Sequence, residues 1–205
     1  MRLLPLLALV ATVSAGEQAD FLARLSKSLG QVKSVRADFT QTKKLAVFKR
    51  PVTAKGVLIF ERPDRLRWEI RKPFRSILIV NGDKVAKFEW VDGKWRALKL
   101  GRAADAILIA IGRLRQWLTG KFDEKAYEIS VEKTRVILKP RDKALKKTIA
   151  SLELFPTKDL KAMRKVVVRE RTGDVTEIAF SGHRTGTKPP KGTFSPTAPA
   201  PLDGG

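Results

Sequence analysis

The sequence predicts a mainly β protein of the α+β class, in which one large antiparallel sheet curls without closing and helices lie against one face. Strand-like runs with turn residues between them recur from Val35 to Ser181, and only two stretches, one near the N-terminus and one midway, change to a helical period. Long sheets curl because each strand twists against the next. A curled sheet left open presents a concave surface that helices can fill or cover.

The stretch Gly56 to Trp90 is the most informative. Val57 to Phe60 is a short apolar run, broken at Arg62-Pro63-Asp64 because proline removes a backbone donor and fixes φ. Leu66, Trp68 and Ile70 then fall on one side of a strand and Arg65, Arg67, Glu69 and Arg71 on the other, which predicts one apolar face and one face in water. Lys72-Pro73 ends that strand and Ser76 to Val80 begins the next. Asn81-Gly82 is the pair expected in a type I′ hairpin leading to Val85 to Trp90.

Around this centre, Glu17 to Lys33 carries Phe21, Leu25, Leu29 and Val32 on one helical face. Val35 to Gln41 and Lys44 to Phe48 read as β runs, and Asp92-Gly93 as a two-residue turn into Lys94 to Leu100. Ala103 to Leu118 returns to helical period, with Ile107, Ile111, Leu114 and Leu118 in a stripe. Leu108, Ile109 and Trp117 lie outside that stripe, so this helix is expected to be covered on two faces. Tyr127 to Glu132, Arg135 to Lys139, Ile149 to Phe155, Arg164 to Arg171 and Val175 to Ser181 resume the β pattern. Residues 16–184 are read as one domain, and the Pro/Gly-rich residues 185–205 as an extended end.

Met1 to Ala15 reads as an export signal: Arg2 is the positive region, Leu3 to Val13 the apolar core, and Val13-Ser14-Ala15 the small-residue cleavage pattern. No later run is long and apolar enough for a membrane helix, which predicts an exported, soluble, periplasmic chain. The absence of cysteine leaves no disulfide framework and no thiol for a lipid anchor after the signal. Forty-two Lys and Arg against 21 Asp and Glu give a net charge of +21. Such a field draws polyanions, and export makes anionic lipid head groups the available kind ahead of nucleic acid.

The run from Phe39 to Asp83 carries a specific resemblance. RADFTQ, a strand ending in ERPDRLRWEI and then P-x-x-S-I-L-I-V-N-G-D-K resemble the periplasmic outer-membrane lipoprotein carrier (LolA) family. The close KGTFSPTAPAPLDG is similar to the aromatic and Pro-rich end of those proteins, and the order of elements agrees from Phe21 to Leu202. The resemblance implies an unclosed β-barrel with helices as a lid over an apolar cavity. It implies that the chain takes up the acyl chains of lipoproteins released at the inner membrane and hands them to an outer-membrane acceptor.

By the same resemblance, Arg62 holds the lid shut through hydrogen bonds to lid backbone, and Leu66 and Trp68 face the cavity. Ile70, Phe88, Trp90, Ile107 and Ile111 are the further cavity candidates read from the apolar pattern. Arg65, Arg67, Arg71, Lys72 and Arg75 form a cationic face suited to an acidic partner or anionic head groups. An acyl chain needs no polar site, since ~14 to 16 buried carbons supply ~11 to 13 kcal/mol gross.

Catalysis is not expected. One histidine (His183) and no cysteine leave neither a thiol nucleophile nor a multi-histidine metal site, and no nucleotide loop is present, so neither metal nor cofactor is expected. The reading is therefore a monomeric carrier of lipoproteins or other acylated cargo, without nucleic acid as partner. Its alternatives are a carrier or sensor of other lipid-linked envelope components, and an exported cationic protein that binds polyanions by charge.

Overall fold

The computed structural model describes residues 14–48 and 50–197, apart from the side chains of Ala106, Ala110 and Arg113. The expected export segment lies outside the described residues except for Ser14 and Ala15. These open helix α1 (Ala15–Gln31): the Ser14 hydroxyl accepts from the Glu17 N–H and the Glu17 carboxylate accepts from the Ser14 N–H. Six strands follow, β1 (Ser34–Lys44), β2 (Val52–Glu61), β3 (Arg65–Lys72), β4 (Ser76–Asn81), β5 (Lys84–Val91) and β6 (Lys94–Leu98). Helix α2 spans Ala103–Leu118. After it come β7 (Tyr127–Glu132), β8 (Arg135–Pro140), a short helix α3 (Lys143–Thr148), β9 (Ile149–Pro156), β10 (Met163–Glu170) and β11 (Val175–Thr185).

The eleven strands of the described residues form one antiparallel sheet in the order β6-β5-β4-β3-β2-β1-β11-β10-β9-β8-β7. The sheet is curved and unclosed, with β6 and β7 as its two edges. The chain reverses from β1 into β2 through a turn at Ala46-Val47, so the expected strand over Lys44 to Phe48 is corrected to a turn. The next correction is one of register. Asn81 pairs with Lys84, which makes Gly82-Asp83 the turn residues. Gly82 has φ +65° at the first loop position, where a type II′ hairpin places glycine. Asp92 and Gly93 form the expected two-residue turn, and with both at positive φ it is of type I′. The six-residue α3 was not anticipated; its Asp142 carboxylate accepts from the Leu145 N–H.

Each face of the sheet has its own core. On the concave side Ala37, Phe39, Leu58, Phe60, Leu66 and Phe180 meet Phe21, Leu25 and Leu29 of α1 and Trp117 of α2. Leu25 and Leu29 are fully enclosed, each contributing roughly 1.5–3 kcal/mol by burial. On the convex side Val57, Ile59, Ile77, Ile79 and Phe88 pack with Phe194. The expected extended end therefore folds back, at least to Ser195. Asn81 donates to the Phe194 carbonyl, and Ser34 donates to the Thr187 carbonyl at 2.7 Å.

This tail also corrects the expectation that the charged side of β3 lies in water. Arg67 is 0% exposed and Glu69 is buried beside it. Arg67 donates to one Glu69 carboxylate oxygen at 2.6 and 3.0 Å and to the Thr193 carbonyl at 3.3 Å, while Arg71 donates to the other Glu69 oxygen at 3.0 Å. A buried guanidinium is tolerated only with such pairing.

Gly56 fixes the centre of the sheet. It lies opposite Phe39 in β1, beside a register shift against β3. A Cβ there would come within 1.9 Å of the Glu69 carbonyl oxygen and 2.7 Å of the Phe39 ring. Its absence lets that ring lie flat across the strand and stack on Trp68, with centroids 4.1 Å apart.

Candidate functional site

The concave face and the two long helices over it form the candidate site. α1 reaches toward β7, where the Gln18 side-chain oxygen accepts from the Val131 N–H at 3.1 Å. α2 lies over the other half, with Leu108 and Ile111 facing Phe60, Leu66 and Val80. The two are seated differently. α1 is capped and buries a full stripe, whereas α2 has no side-chain cap at its N-terminus and, among its described side chains, buries only Trp117. The Trp117 indole N–H has no hydrogen-bond partner there, and an unmet buried donor costs about 1–3 kcal/mol. Ile109 remains 60% exposed, so the two-sided cover expected for this helix is corrected to one side.

Among the described residues the hollow shows small cavities. Beneath α1 and the end of α2 a residual cavity of about 20 Å³ remains among Leu29, Val35, Leu58, Phe60, Met163 and Phe180. A second, of about 170 Å³, lies between α2 and the strand ends near Leu66 and Val80. Ligand pockets run to roughly 300–1,000 Å³, so with the helices in this position both of these cavities, as the described residues line them, are smaller than an acyl cargo needs. Larger cavities of about 460 and 370 Å³ lie on the convex side, where Lys188, Pro189 and Pro190 line both.

Arg62 stands where the two helices converge. It donates from Nε to the Val32 carbonyl at 2.8 Å, and from one terminal nitrogen to the carbonyls of Leu29 at 2.9 Å and Thr119 at 3.4 Å. These carbonyls end α1 and α2, where the helix dipoles are negative and a cation is favoured. Burial pushes the guanidinium down from its ordinary value, yet an arginine starts high enough to stay charged.

Gly120, at φ +72°, closes the same junction. A Cβ on it would meet the Ser26 Cα at 2.8 Å and the Ser26 carbonyl oxygen at 2.9 Å. Gly120→Ala is expected to loosen α2 from α1, with roughly 1–2 kcal/mol lost to the left-handed conformation alone. Faster amide exchange across the last turn of α2 would register this, and unchanged exchange would show that the close approach constrains nothing.

The other expected residues divide by face. Leu66, Trp68, Ile70 and Ile111 belong to the concave cluster; Ile107 is half-buried outside it. Phe88 and Trp90 are corrected to the convex side, Phe88 in the second core and Trp90 against Trp95. Pairing parity gives the reason. Leu66 pairs with Val80 and Val80 with Val85, so the odd-numbered residues of β5 share the concave face with Leu66.

Of the cationic face, Arg67 is enclosed, Arg65 pairs with Glu61 at 3.0 Å, and Arg71 pairs with Glu69. Lys72 and Arg75 are exposed at the far end of β3 and in the turn beyond it. His183 Nε2 lies 2.9 Å from the Met163 carbonyl, which makes that nitrogen the donor. Among the described residues no group of three or more His, Asp or Glu could hold a metal ion, and no helix is long and apolar enough to cross a membrane. Sequence reasoning named Trp117 only as an apolar residue outside the stripe of α2, and it missed Gly120 and the helix-end carbonyls of Leu29, Val32 and Thr119, although a glycine just past a helix was a visible signal for a close junction.

An open curved sheet whose apolar hollow is stoppered by two helices, both bonded to one arginine, defines a helix-lidded half-barrel. Residues 30–197 match the family model described as outer membrane lipoprotein carrier protein LolA, and the chain belongs to that family. It is 27% identical over 206 residues to an outer-membrane lipoprotein carrier protein of Dechloromonas aromatica, covering 98% of this chain and 90% of the relative. It is 24% identical over 193 residues to one of Nitrosospira multiformis, covering 90% and 88%. A solved LolA superfamily protein from Nitrosomonas europaea is similar with a TM-score of 0.44 and 8% identity, covering 87% of this chain and 97% of that one.

Proposed function

We propose that this chain is a periplasmic lipoprotein carrier whose concave face takes up acyl chains when α2 lifts, and yields them when Arg62 draws the helices back. The observation that carries this reading is the three-carbonyl contact of Arg62 at the ends of α1 and α2. With the helices down, the cavities that the described residues line in the hollow are smaller than a ligand pocket, which supports loading by displacement of the helices, whose reseating competes with the cargo. Leu66, Trp68, Ile70 and Ile111 would then contact the acyl chains, gaining about 0.8 kcal/mol per buried CH₂. The missing side-chain cap at the N-terminus of α2 and the unmet Trp117 N–H support it as the helix that moves. The partners of such a carrier are an inner-membrane release complex and an outer-membrane acceptor.

Photo-crosslinking in the envelope tests this reading. A crosslinking residue at Leu66 or Ile111 is expected to capture acylated protein, and one at Phe88, on the convex face, is not. Equal capture at Phe88, or none at Leu66 and Ile111, would remove the hollow from the function.

A further inference from the structure

The antiparallel pairings place the turns after β1, β3 and β5 on one rim of the sheet, at the opposite end from Arg62: Lys43 pairs with Val52, Lys55 with Lys72, and Val91 with Lys94. Six of the eight exposed large apolar side chains among the described residues lie there. They are Val47 (85% exposed), Phe48 (63%), Val52, Phe74 (58%), Trp90 and Val91. Apolar side chains normally avoid such positions in this concentration.

Fraying does not account for the exposure. The β1–β2 turn is tied to the β10–β11 turn by Ala46 N–H donating to the Asp174 carboxylate at 2.8 Å, and Phe48 N–H donates to the Leu45 carbonyl. The β3–β4 turn is tied to β5 by Trp90 N–H donating to the Arg75 carbonyl at 3.0 Å. These hydrogen bonds tie the described backbone from which the side chains project.

Cations stand between them: Lys44, Arg50, Lys72, Arg75 and Lys94 are all exposed. The acid at the β5–β6 tip, Asp92, is taken up by Arg96 at 2.9 Å. The Arg75 guanidinium sits 4.3 Å above the Trp90 ring and 5.2 Å from that of Trp95, and the two indoles meet edge to face. Indoles with adjacent guanidinium and ammonium groups, around a few projecting apolar tips, match the chemistry of a bilayer interface, where phosphates meet acyl chains.

We propose that this rim docks on an anionic lipid bilayer, with Phe48 and Phe74 entering the head-group layer and the surrounding cations holding lipid phosphates. Docking needs no cargo and does not rest on the carrier reading, because Arg62 and the concave face take no part in it. The arrangement points the Arg62 end away from the membrane plane.

The test is flotation of the purified chain with phosphatidylglycerol-containing vesicles and with pure phosphatidylcholine vesicles, for the native chain, for Phe48→Asp/Phe74→Asp, and for Arg50→Glu/Lys72→Glu. The native chain is expected to float with the anionic vesicles only. Each double variant should lower that binding by about tenfold or more, while thermal melting stays unchanged because all four positions are exposed. Three results would overturn the proposal: no flotation of the native chain, an undiminished Phe48→Asp/Phe74→Asp variant, which would mean attraction by charge alone, or equal binding to a soluble acidic protein with equal loss in the variants.

Discussion

Arg62→Leu is expected to leave the sheet folded while tightening the hold on acylated cargo and slowing its handover. The substitution removes the only side chain that donates to the ends of both α1 and α2 among the described hydrogen bonds. A charge-assisted bond contributes about 1.5–3 kcal/mol, and here it stabilises the state with the hollow filled. Cargo binds the other state, so weakening the filled one raises apparent affinity, by roughly 10- to 100-fold if the full contribution is lost. Release slows correspondingly, because the returning helices no longer compete as strongly. Arg62→Lys keeps the charge without the fork and should fall between the two. Displacement of a fluorescent acyl probe, followed by transfer of acylated cargo to acceptor membranes, measures both quantities. Unaltered affinity and transfer would dismiss the arginine from the mechanism, whatever its hydrogen bonds.

Glu69→Ala is expected to have the largest effect on stability. It strips Arg67, which no solvent reaches, of its carboxylate, leaving the Thr193 carbonyl as its remaining partner. Breaking a buried pair on one side costs about 3–5 kcal/mol. For a chain of this size that corresponds to a fall in Tm of roughly 6–20 °C. The Thr193 contact also ties the tail to β3, so proteolysis of residues 188–197 should accelerate in the variant. Replacing both partners, Arg67→Met with Glu69→Leu, should recover much of the loss. A single variant that melts with the native chain would show that the pair contributes little to the fold.

Much of this architecture was legible. α2 is bounded by Ala103 and Leu118 as its period implied, and discarding the run over Lys44 to Phe48 leaves the eleven strands observed. What went unread follows from one omission. β2 and β4 are apolar on successive residues, Val57 to Phe60 and Ile77 to Val80, and a strand of that kind needs cover on both faces. Two helices cover one face only. Something had to cover the other, and Phe194 was the aromatic available; with it in place Arg67 and Glu69 could not have been in water. Phe88 and Trp90 could likewise have been assigned to the convex side by counting pairs through two hairpins from Leu66. The three carbonyls that meet Arg62 leave no trace in side-chain chemistry, since any sequence supplies them. Only the resemblance pointed to that contact.

β6 and β7, the outermost strands, do not bond to each other. In a complete barrel the number of strands and their stagger dictate the bore. Here no ladder of hydrogen bonds spans the seam between β6 and β7, so the seam itself dictates no bore. A wider gap would cost no strand pairing, because none crosses it.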